Sequence, residues 1–263
     1  MFLGGYQPEG GIAAPESREY LMSEQGLRRA CEEGIILEAV AVRCDLSFRL
    51  TVDLHCMNGY IEREDVQFSP TGEPVRDIAV ITRVGKAVCF RVTGFFTENG
   101  KTAARLSRKE AQRECAEKYL AALEPGDIID AKVTHLENFG AFVDIGCGIV
   151  SLLSIDCISV SRISHPSDRF RAGDRIKVVV KSIDRENGRI FVTHKELLGT
   201  WEQNAALFSP GQTVTGTVRS IEDYGIFVEL TPNLAGLAEY RDGITVGQTA
   251  AVYIKNIIPE RMK

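Results

Sequence analysis

One sequence pattern occurs twice in this chain. NFGAFVDIG begins at Asn138 and DYGIFVEL begins at Asp223, and both read aromatic, glycine, small or branched residue, phenylalanine, valine, acid. The two copies are separated by the same distance along the chain as Gly126 and Gly211, the glycines that open the preceding strand. A pattern that recurs at one interval is typical of tandem repeats. We therefore expect a series of similar units.

The alternation within each copy predicts which side chains face outward. The apolar positions are Ala141, Val143 and Ile145 in the first copy and Ile226, Val228 and Leu230 in the second. Because successive side chains of a strand point to opposite faces, we expect Phe142 and Asp144 to face outward, as Phe227 and Glu229 do in the second copy. Exposed phenylalanines at the same place in two repeats indicate a surface on which flat ligands stack.

A second aromatic precedes each of these strands. Phe139 and Phe142 are three positions apart, a spacing that would place them on opposite faces of a regular strand. Gly140 allows a bulge or bend that brings both rings to one side. The alternative is that Phe139 and Tyr224 only cap the barrel core.

Length, charge and cysteine content restrict the class of protein. With 263 residues the chain suits two or three domains. Its net charge of −5 argues against non-specific binding of duplex DNA, but not against a single-strand binder that relies on stacking. The seven cysteines form no CxxC pair, so we expect reduced thiols, no metal site and no cofactor. The chain also lacks an export signal and a long apolar run, which predicts a cytoplasmic protein without membrane contact.

Two helix-start motifs divide the chain into units. Ser107 to Glu110 and Thr193 to Glu196 both read as capping boxes, and each follows a set of five expected strands. DIAVITRVG, beginning at Asp77, is expected to be one strand of the first set. The last set lacks most of its final strand, as in a fragment or a frayed end. The expected order is a disordered N-terminus over 1–15, a helix over 16–34, a barrel over 35–107, a linker helix over 108–123, a barrel over 124–196, a linker helix over 197–209 and a truncated barrel over 210–263.

Longer stretches of the chain resemble a known repeat. GDIIDAKVTHLENFGAFVDIG, GIVSLLS and IDRENGRIFVTHKE are similar to the S1 RNA-binding repeat of the bacterial ribosomal protein S1 family. GQTVTGTVRSIEDYGIFVEL followed by GLAE resembles the same repeat, so the resemblance covers residues 124–263, and the first unit is only weakly similar. The resemblance implies an all-β fold with linker helices, built from three tandem five-stranded barrels of the OB type.

The resemblance also implies positions that contact nucleic acid. The residues that stand at the family's contact positions are Phe139, Phe142, Asp184 and Arg189 in the middle unit and Tyr224 and Phe227 in the last. Ser151 stands where the family has a histidine, and it can donate a hydrogen bond but cannot stack. In the last unit Glu239 stands at that histidine position and Pro259 at the aspartate position, which weakens the expectation there. In the first unit Thr51 replaces the strand-two aromatic, so that unit is expected to have no stacking face.

Basic side chains are the expected phosphate contacts. The candidates are Lys132, Arg175, Lys181, Arg189 and Arg219. Most of the middle unit's basic residues lie between its third and fourth strands and along the fourth strand, where a track for a phosphate backbone is one interpretation. The alternative is a solvated loop whose charges balance the interleaved aspartates.

These patterns predict a binding protein. The sequence has no GxSxG, HExxH or Walker loop, so we expect no enzymatic activity. We expect sequence-tolerant binding of single-stranded RNA or mRNA that assists translation, with the first barrel docked on the small ribosomal subunit, as the resemblance implies. The alternatives are an accessory factor of RNA decay or transcription, and a protein-interaction scaffold of OB barrels.

Overall fold

The computed structural model describes residues 6–11, 15–98, 100–161 and 163–263. Within these ranges the chain forms fourteen strands in three sheets that follow one another along the sequence. Short helices lie before, within and between the sheets. The expected all-β fold of tandem barrels with linker helices is therefore confirmed.

The first sheet is a closed barrel. Its strands are β1 (Ile36–Cys44), β2 (Leu50–Asp53), β3 (Asn58–Ile61), β4 (Ala87–Glu98) and β5 (Lys101–Ser107). They are hydrogen-bonded in the order β1-β2-β3-β5-β4, and β4 also pairs with β1. The pair of β3 and β5 is parallel, whereas the other pairs are antiparallel. Closure buries an apolar core in which the side chains of Leu37, Leu50 and Phe90 are fully buried.

The second sheet, which forms the middle barrel, is nearly closed. Its strands are β6 (Ile128–Glu137), β7 (Gly140–Asp144), β8 (Val150–Ser154), β9 (Arg175–Asp184) and β10 (Arg189–Thr193). The order is β10-β9-β6-β7-β8, which leaves β8 and β10 at the two edges. The hydroxyl of Ser151 on β8 donates to the carbonyl oxygen of Ile190 on β10 at 2.6 Å. This side-chain bond joins the two edges.

The third sheet, which forms the last barrel, has four strands. These are β11 (Thr213–Glu222), β12 (Gly225–Thr231), β13 (Leu234–Ala238) and β14 (Thr249–Tyr253), in the order β13-β12-β11-β14. A single 3-10 turn at Pro259–Arg261 follows β14. Among the residues described up to Lys263, no fifth strand follows, which agrees with the missing closing strand inferred from the sequence.

Among the described residues, five α-helices accompany the sheets. They are α1 (Pro15–Leu21), α2 (Glu24–Glu33), α3 (Asp77–Ile81), α4 (Arg108–Lys118) and α5 (Trp201–Ala205). The single helix expected over 16–34 is divided because the Ser23 hydroxyl accepts the amide of Gly26 at 3.0 Å and starts α2 there. The expected cap of α4 is present, since the Ser107 hydroxyl accepts the amide of Glu110 at 3.1 Å.

The segment DIAVITRVG forms α3 and not a strand. Ile78 and Val80 alternate with other residues, a pattern that also fits a strand. In the structure only Val80 of this helix is buried, and the amide of Thr82 donates to the carbonyl oxygen of Ile78 at 3.1 Å. The third strand of the first barrel is instead β3, a four-residue segment that is too short for alternation to identify it.

The second linker helix is shorter than expected and begins later. Thr193 and Glu196 are hydrogen-bonded through their side chains, but only a 3-10 turn follows them. The capping box of α5 is formed by Thr200 and Gln203: the Thr200 hydroxyl accepts the Gln203 amide at 3.2 Å, and the Gln203 side chain accepts the Thr200 amide at 2.9 Å.

The N-terminal segment Tyr6–Gly11 packs between the first and middle barrels. Residues 1–15 are expected to be disordered from their glycine and proline content; of these, 1–5 and 12–14 lie outside the described residues. Glu9, by contrast, is buried, and its carboxylate accepts hydrogen bonds from Arg108 Nε at 2.6 Å and from the Cys89 amide at 3.1 Å. A buried charge persists only when it is paired, so the segment is held by the partners that Glu9 finds there.

Glu9 and Arg108 each stabilise the charged form of the other. Burial alone would raise the pKa of Glu9, but the Arg108 guanidinium lowers it below its ordinary value. Burial alone would also lower the pKa of Arg108, whereas the Glu9 carboxylate raises it above its ordinary value. Both groups therefore remain charged in the interior, and either one without the other is a buried, uncompensated charge.

We expect Arg108→Met to lower the free energy of unfolding by about 3–5 kcal/mol, because it leaves the Glu9 carboxylate buried without its partner. Urea denaturation of the full chain measures this. The control is Lys255→Met, which removes an ion pair with Glu239 whose two side chains are 68% and 86% exposed. That variant should leave the unfolding midpoint unchanged. Equal effects in both variants would contradict the assigned role of Arg108.

Candidate nucleic-acid interface

The middle barrel displays an aromatic pair on one side. The ring centroids of Phe139 and Phe142 are 6.0 Å apart, and the two planes are perpendicular. Phe139 is 53% exposed and Phe142 is half-buried. His135 extends the surface, since its ring lies 6.4 Å from that of Phe142 with an interplanar angle of 20°. We call Phe139, Phe142 and His135 the middle aromatic face.

The two phenylalanines share a side for a different reason from the one expected. Phe139 lies in the turn between β6 and β7 and is not part of a strand, so alternation does not apply to it. The irregularity lies in β6 instead, between Val133 and His135, and it places His135 opposite Phe142. Gly140 is required by close packing, because a Cβ there would lie 2.5 Å from the carbonyl oxygen of Leu153.

The last barrel repeats this arrangement. The rings of Tyr224 and Phe227 are 6.2 Å apart with an interplanar angle of 89°. Tyr224 is 70% exposed, and Phe227 is half-buried. Strand β11 has the same irregularity between Val218 and Ser220, so Ser220 takes the place of His135. We call Tyr224 and Phe227 the last aromatic pair.

The first barrel lacks a strand-two aromatic but has one on strand three. Thr51 occupies the place of Phe142 and lies opposite Tyr60 on β3. The guanidinium of Arg49 lies over the Tyr60 ring, 4.4 Å from its centroid. Arg49 also pairs with Asp45 at 3.3 Å and Glu98 at 3.0 Å. The ring is therefore covered by a paired arginine and is not available for stacking in this conformation.

Ser151 does not lie on the middle aromatic face, which corrects the expectation for this residue. In the antiparallel pair of β7 and β8, Ser151 is opposite Val143, an inward position, whereas Leu152 is opposite Phe142. Ser151 is 5% exposed, and its hydroxyl is used in the bond to Ile190. It therefore holds the two edges of the middle barrel together.

Lys132 and Arg175, which were predicted to contact phosphates, both donate a hydrogen bond to the N-terminal segment. Lys132 Nζ donates to the carbonyl oxygen of Glu9 at 2.9 Å. The Arg175 guanidinium donates to the carbonyl oxygen of Gly10. The two residues are paired across β6 and β9, at a distance from the turn that carries Phe139. Their charges serve contacts between the N-terminal segment and the middle barrel.

Asp144 faces outward as expected, yet it is only 2% exposed. The N-terminal segment covers it: Asp144 Oδ2 accepts the amide of Glu9 at 2.7 Å, and Oδ1 accepts the amides of Gly146 and Gly148 at 2.9 and 3.0 Å. Burial and the nearby Glu9 carboxylate raise the pKa of Asp144 to about 6. Asp144 therefore attaches the middle barrel to the N-terminal segment.

Glu229, the equivalent acid of the last barrel, is covered in the same way. It is 8% exposed and pairs with Arg219, whose Nε lies 3.0 Å from Oε2, and with Arg169 of the middle barrel. Arg219 also lies 3.8 Å from Asp168. Arg219, a predicted phosphate contact, is thus held in an ion-pair network between two barrels.

The remaining predicted residues lie at the surface. Lys181 and Arg189 are exposed, and Arg189 is opposite Asp184 where β9 turns into β10. Hydrogen bonds from Asn187 lower the pKa of Asp184. Glu239 of the last barrel is paired with Lys255 at 2.7 Å.

Sequence reasoning missed His135. The only signal available was that His135 lies in the strand before Phe142. This places it beside Phe142 only when the register of β6 against β7 is known.

Among the described residues, the His, Cys, Asp and Glu side chains form no group of three or more that could hold a metal ion. The helices that can be described are all too short or too polar to cross a lipid bilayer.

The chain is similar to known proteins over much of its length. Residues 122–195 match the family model described as S1 RNA binding domain. The small ribosomal subunit protein bS1 homolog of Bacillus subtilis is 43% identical over 122 residues, 46% of this chain and 32% of that protein. Small ribosomal subunit protein bS1 of Rhodopseudomonas palustris is 32% identical over 190 residues, 71% of this chain and 32% of that protein.

A further relative has the name of an enzyme. The 4-hydroxy-3-methylbut-2-enyl diphosphate reductase of Clostridium acetobutylicum is 30% identical over 196 residues, 68% of this chain and 30% of that protein. The chain therefore spans only 30% to 32% of the length of these three relatives. The resemblance to the ribosomal protein S1 family inferred from the sequence motifs is confirmed by these matches.

The raised pKa of Asp144 predicts a pH dependence of stability. The unfolded group titrates at its ordinary value of 3.8 and the folded group at about 6. Between these values the folded state keeps a proton that the unfolded chain releases, so the free energy of unfolding contributed by Asp144 falls as the pH rises through this window. We expect Asp144→Asn to remove that slope in urea titrations. An unchanged slope would show that other groups cause it.

Proposed function

We propose that this chain, whose residues 122–195 match the S1 RNA binding domain model, binds single-stranded RNA on the middle aromatic face and the last aromatic pair. The observation that carries the proposal is that two successive barrels each display an exposed ring perpendicular to a half-buried one. Exposed aromatic pairs are costly in a soluble protein unless they meet a ligand. Unpaired nucleobases are flat and apolar enough to cover them.

The energetics favour cooperation between the barrels. Each base stacked on an aromatic side chain contributes about 1–3 kcal/mol, so one barrel with two rings binds a strand only modestly. A strand that reaches both barrels binds the second one as an intramolecular event, which raises the apparent affinity. Stacking does not depend on base identity, which supports sequence-tolerant binding.

Contacts with the phosphates of the RNA are proposed for fewer basic residues than the sequence predicted. Arg189 and Lys181 are exposed and basic, and we propose them as the phosphate contacts; Asp184, opposite Arg189, would accept hydrogen bonds from the RNA. Lys132, Arg175 and Arg219 were also predicted as phosphate contacts, but each makes a hydrogen bond or an ion pair within the protein, so we do not include them in the proposal.

The cellular role is proposed from the relatives. Two of them are small ribosomal subunit proteins, so we propose that this chain acts in the cytoplasm and assists translation by binding mRNA, with the first barrel docked on the small subunit. The covered aromatic of that barrel fits a role other than stacking. The proposed role needs no catalytic group, and the reductase activity named for one relative is not transferred to this chain.

A role in RNA decay or transcription would use the same interface. Cellular crosslinking that identifies the bound RNA and proteins would distinguish these roles from translation.

A protein-interaction scaffold would not bind single-stranded RNA in a salt-dependent manner, whereas phosphate contacts make the affinity for RNA fall steeply with salt.

We expect Phe139→Ala combined with Phe142→Ala to weaken binding of poly(U) at least about tenfold, the loss that corresponds to about 1.4 kcal/mol of stacking. Fluorescence anisotropy measures the affinity, and circular dichroism shows whether the barrel stays folded. The matched control is Phe191→Ala, which removes an exposed aromatic on β10 outside the middle aromatic face. Unchanged binding by the folded double variant would refute the stacking surface.

We expect Arg189→Met and Lys132→Met to differ in their effect on the salt dependence of binding. Arg189 is exposed, so its loss should reduce the slope of log affinity against log salt by about 0.7, the value for one phosphate contact with a single strand. Lys132 is bound to the Glu9 carbonyl, so its loss should leave the slope unchanged. The opposite result would restore Lys132 to the RNA interface.

A further inference from the structure

The last aromatic pair lies in a cleft between two barrels. The cleft has a volume of about 590 Å³, and its lining includes Tyr224 and Phe227 on one side. The other side is formed by Ile163 and Ser164, which belong to the connection between β8 and β9 of the middle barrel. The volume falls within the range of about 300–1,000 Å³ that is typical of small-molecule sites. The last barrel alone supplies only part of this cleft.

The two sides are joined by hydrogen bonds to Asn233, whose side chain is buried. The side-chain amide of Asn233 accepts the amide of Val160 at 2.9 Å and donates to the carbonyl oxygens of Lys195 and Gly199 at 2.9 and 2.7 Å. The amide of Ser161 donates to the carbonyl oxygen of Pro232 at 3.1 Å. Breaking these bonds would leave buried polar groups unsatisfied, so the cleft keeps its shape.

Ion pairs reinforce this junction and determine the charge at the base of the cleft. Arg219 lines the cleft, and its guanidinium is paired with Glu229, which also accepts Arg169 from the middle barrel. The positive charge of Arg219 is therefore compensated. Glu222, a further lining residue, adds a carboxylate. A phosphate inside the cleft would meet this negative charge, whereas a base or a ribose would meet hydrogen-bond acceptors.

We propose that the cleft holds one nucleoside unit of a single-stranded RNA, with its base against the last aromatic pair, its polar edge toward Ser164 and Ser220, and its phosphates outside. This rests on the proposed RNA-binding function and adds that the site of the last barrel is completed by the middle barrel. The two barrels then act as one binding unit, and an RNA strand is enclosed at this nucleotide rather than lying on an open surface.

The test fills the cleft from the side of the middle barrel. Ser164 is exposed and lines the cleft, so the indole of Ser164→Trp would occupy the space beside Phe227 without changing any aromatic residue of the interface. Ser167→Trp is the matched control, since Ser167 is an exposed serine in the same connection and does not line the cleft. Thermal unfolding verifies that both variants remain folded.

We expect Ser164→Trp to weaken oligo(U) binding by at least about fivefold, as the loss of about 1 kcal/mol of stacking would, and Ser167→Trp to leave it unchanged. Photocrosslinking of an oligo(U) that contains 4-thiouridine to the unmodified chain should yield adducts on both the 163–169 and the 220–227 segments. Wild-type affinity in Ser164→Trp, or adducts on one side only, would overturn the composite site.

The failure of this proposal is distinguishable from failure of the proposed function. If the double alanine variant of Phe139 and Phe142 loses affinity while Ser164→Trp does not, RNA binding stands and the composite cleft does not. If neither variant changes the affinity, the aromatic surfaces do not bind RNA at all.

Discussion

The carboxylate near the end of strand two organises this structure. Alternation places Asp144 on the same outward face as Phe142, two positions away, and Glu229 on the face of Phe227. Each carboxylate is buried by a preceding part of the chain: Asp144 receives the amide of Glu9, and Glu229 receives arginine side chains. The carboxylate end of the outward face therefore attaches the barrel to the preceding part of the chain, while the aromatic end remains in contact with solvent. Because the carboxylate follows the phenylalanine by two positions, the contact that attaches each barrel lies on the same face as its aromatic residues.

The middle barrel was the most predictable part of the chain, because its strand two combines strict alternation with a glycine at a point of close packing. Prediction failed where a pattern was too short to be decisive. Five residues around Val80 fit a strand as well as a helix, and only the packing of the first barrel selects α3. The four-residue strand β3 has no alternation long enough to detect. Two capping-box sequences follow each other here, one at Thr193 and one at Thr200. Only the second caps an α-helix, and the residue types alone do not distinguish the two.

The roles of charged residues were the least predictable. A sequence records the charge of Lys132 or Arg219 but not the partner. Lys132 binds the carbonyl oxygen of Glu9, far away along the chain, and Arg219 pairs with Glu229 on the neighbouring strand and with Asp168 of the middle barrel. The N-terminal segment shows the same limit, since its glycine-rich composition says nothing of the acceptors that its backbone amides meet. His135 required the register of β6 against β7, which depends on an irregularity that no residue type announces.

The bonds of Asn233 have a practical consequence for engineering the chain. The stretch from Ser159 to Ser161 reads as an ordinary surface connection, where insertions are usually tolerated. Its backbone is instead tied to the neighbouring barrel, so a tag or fluorophore inserted there would separate the two units. The turn around Gly243, whose preceding residues Arg241 and Asp242 are exposed, is a better place for an insertion.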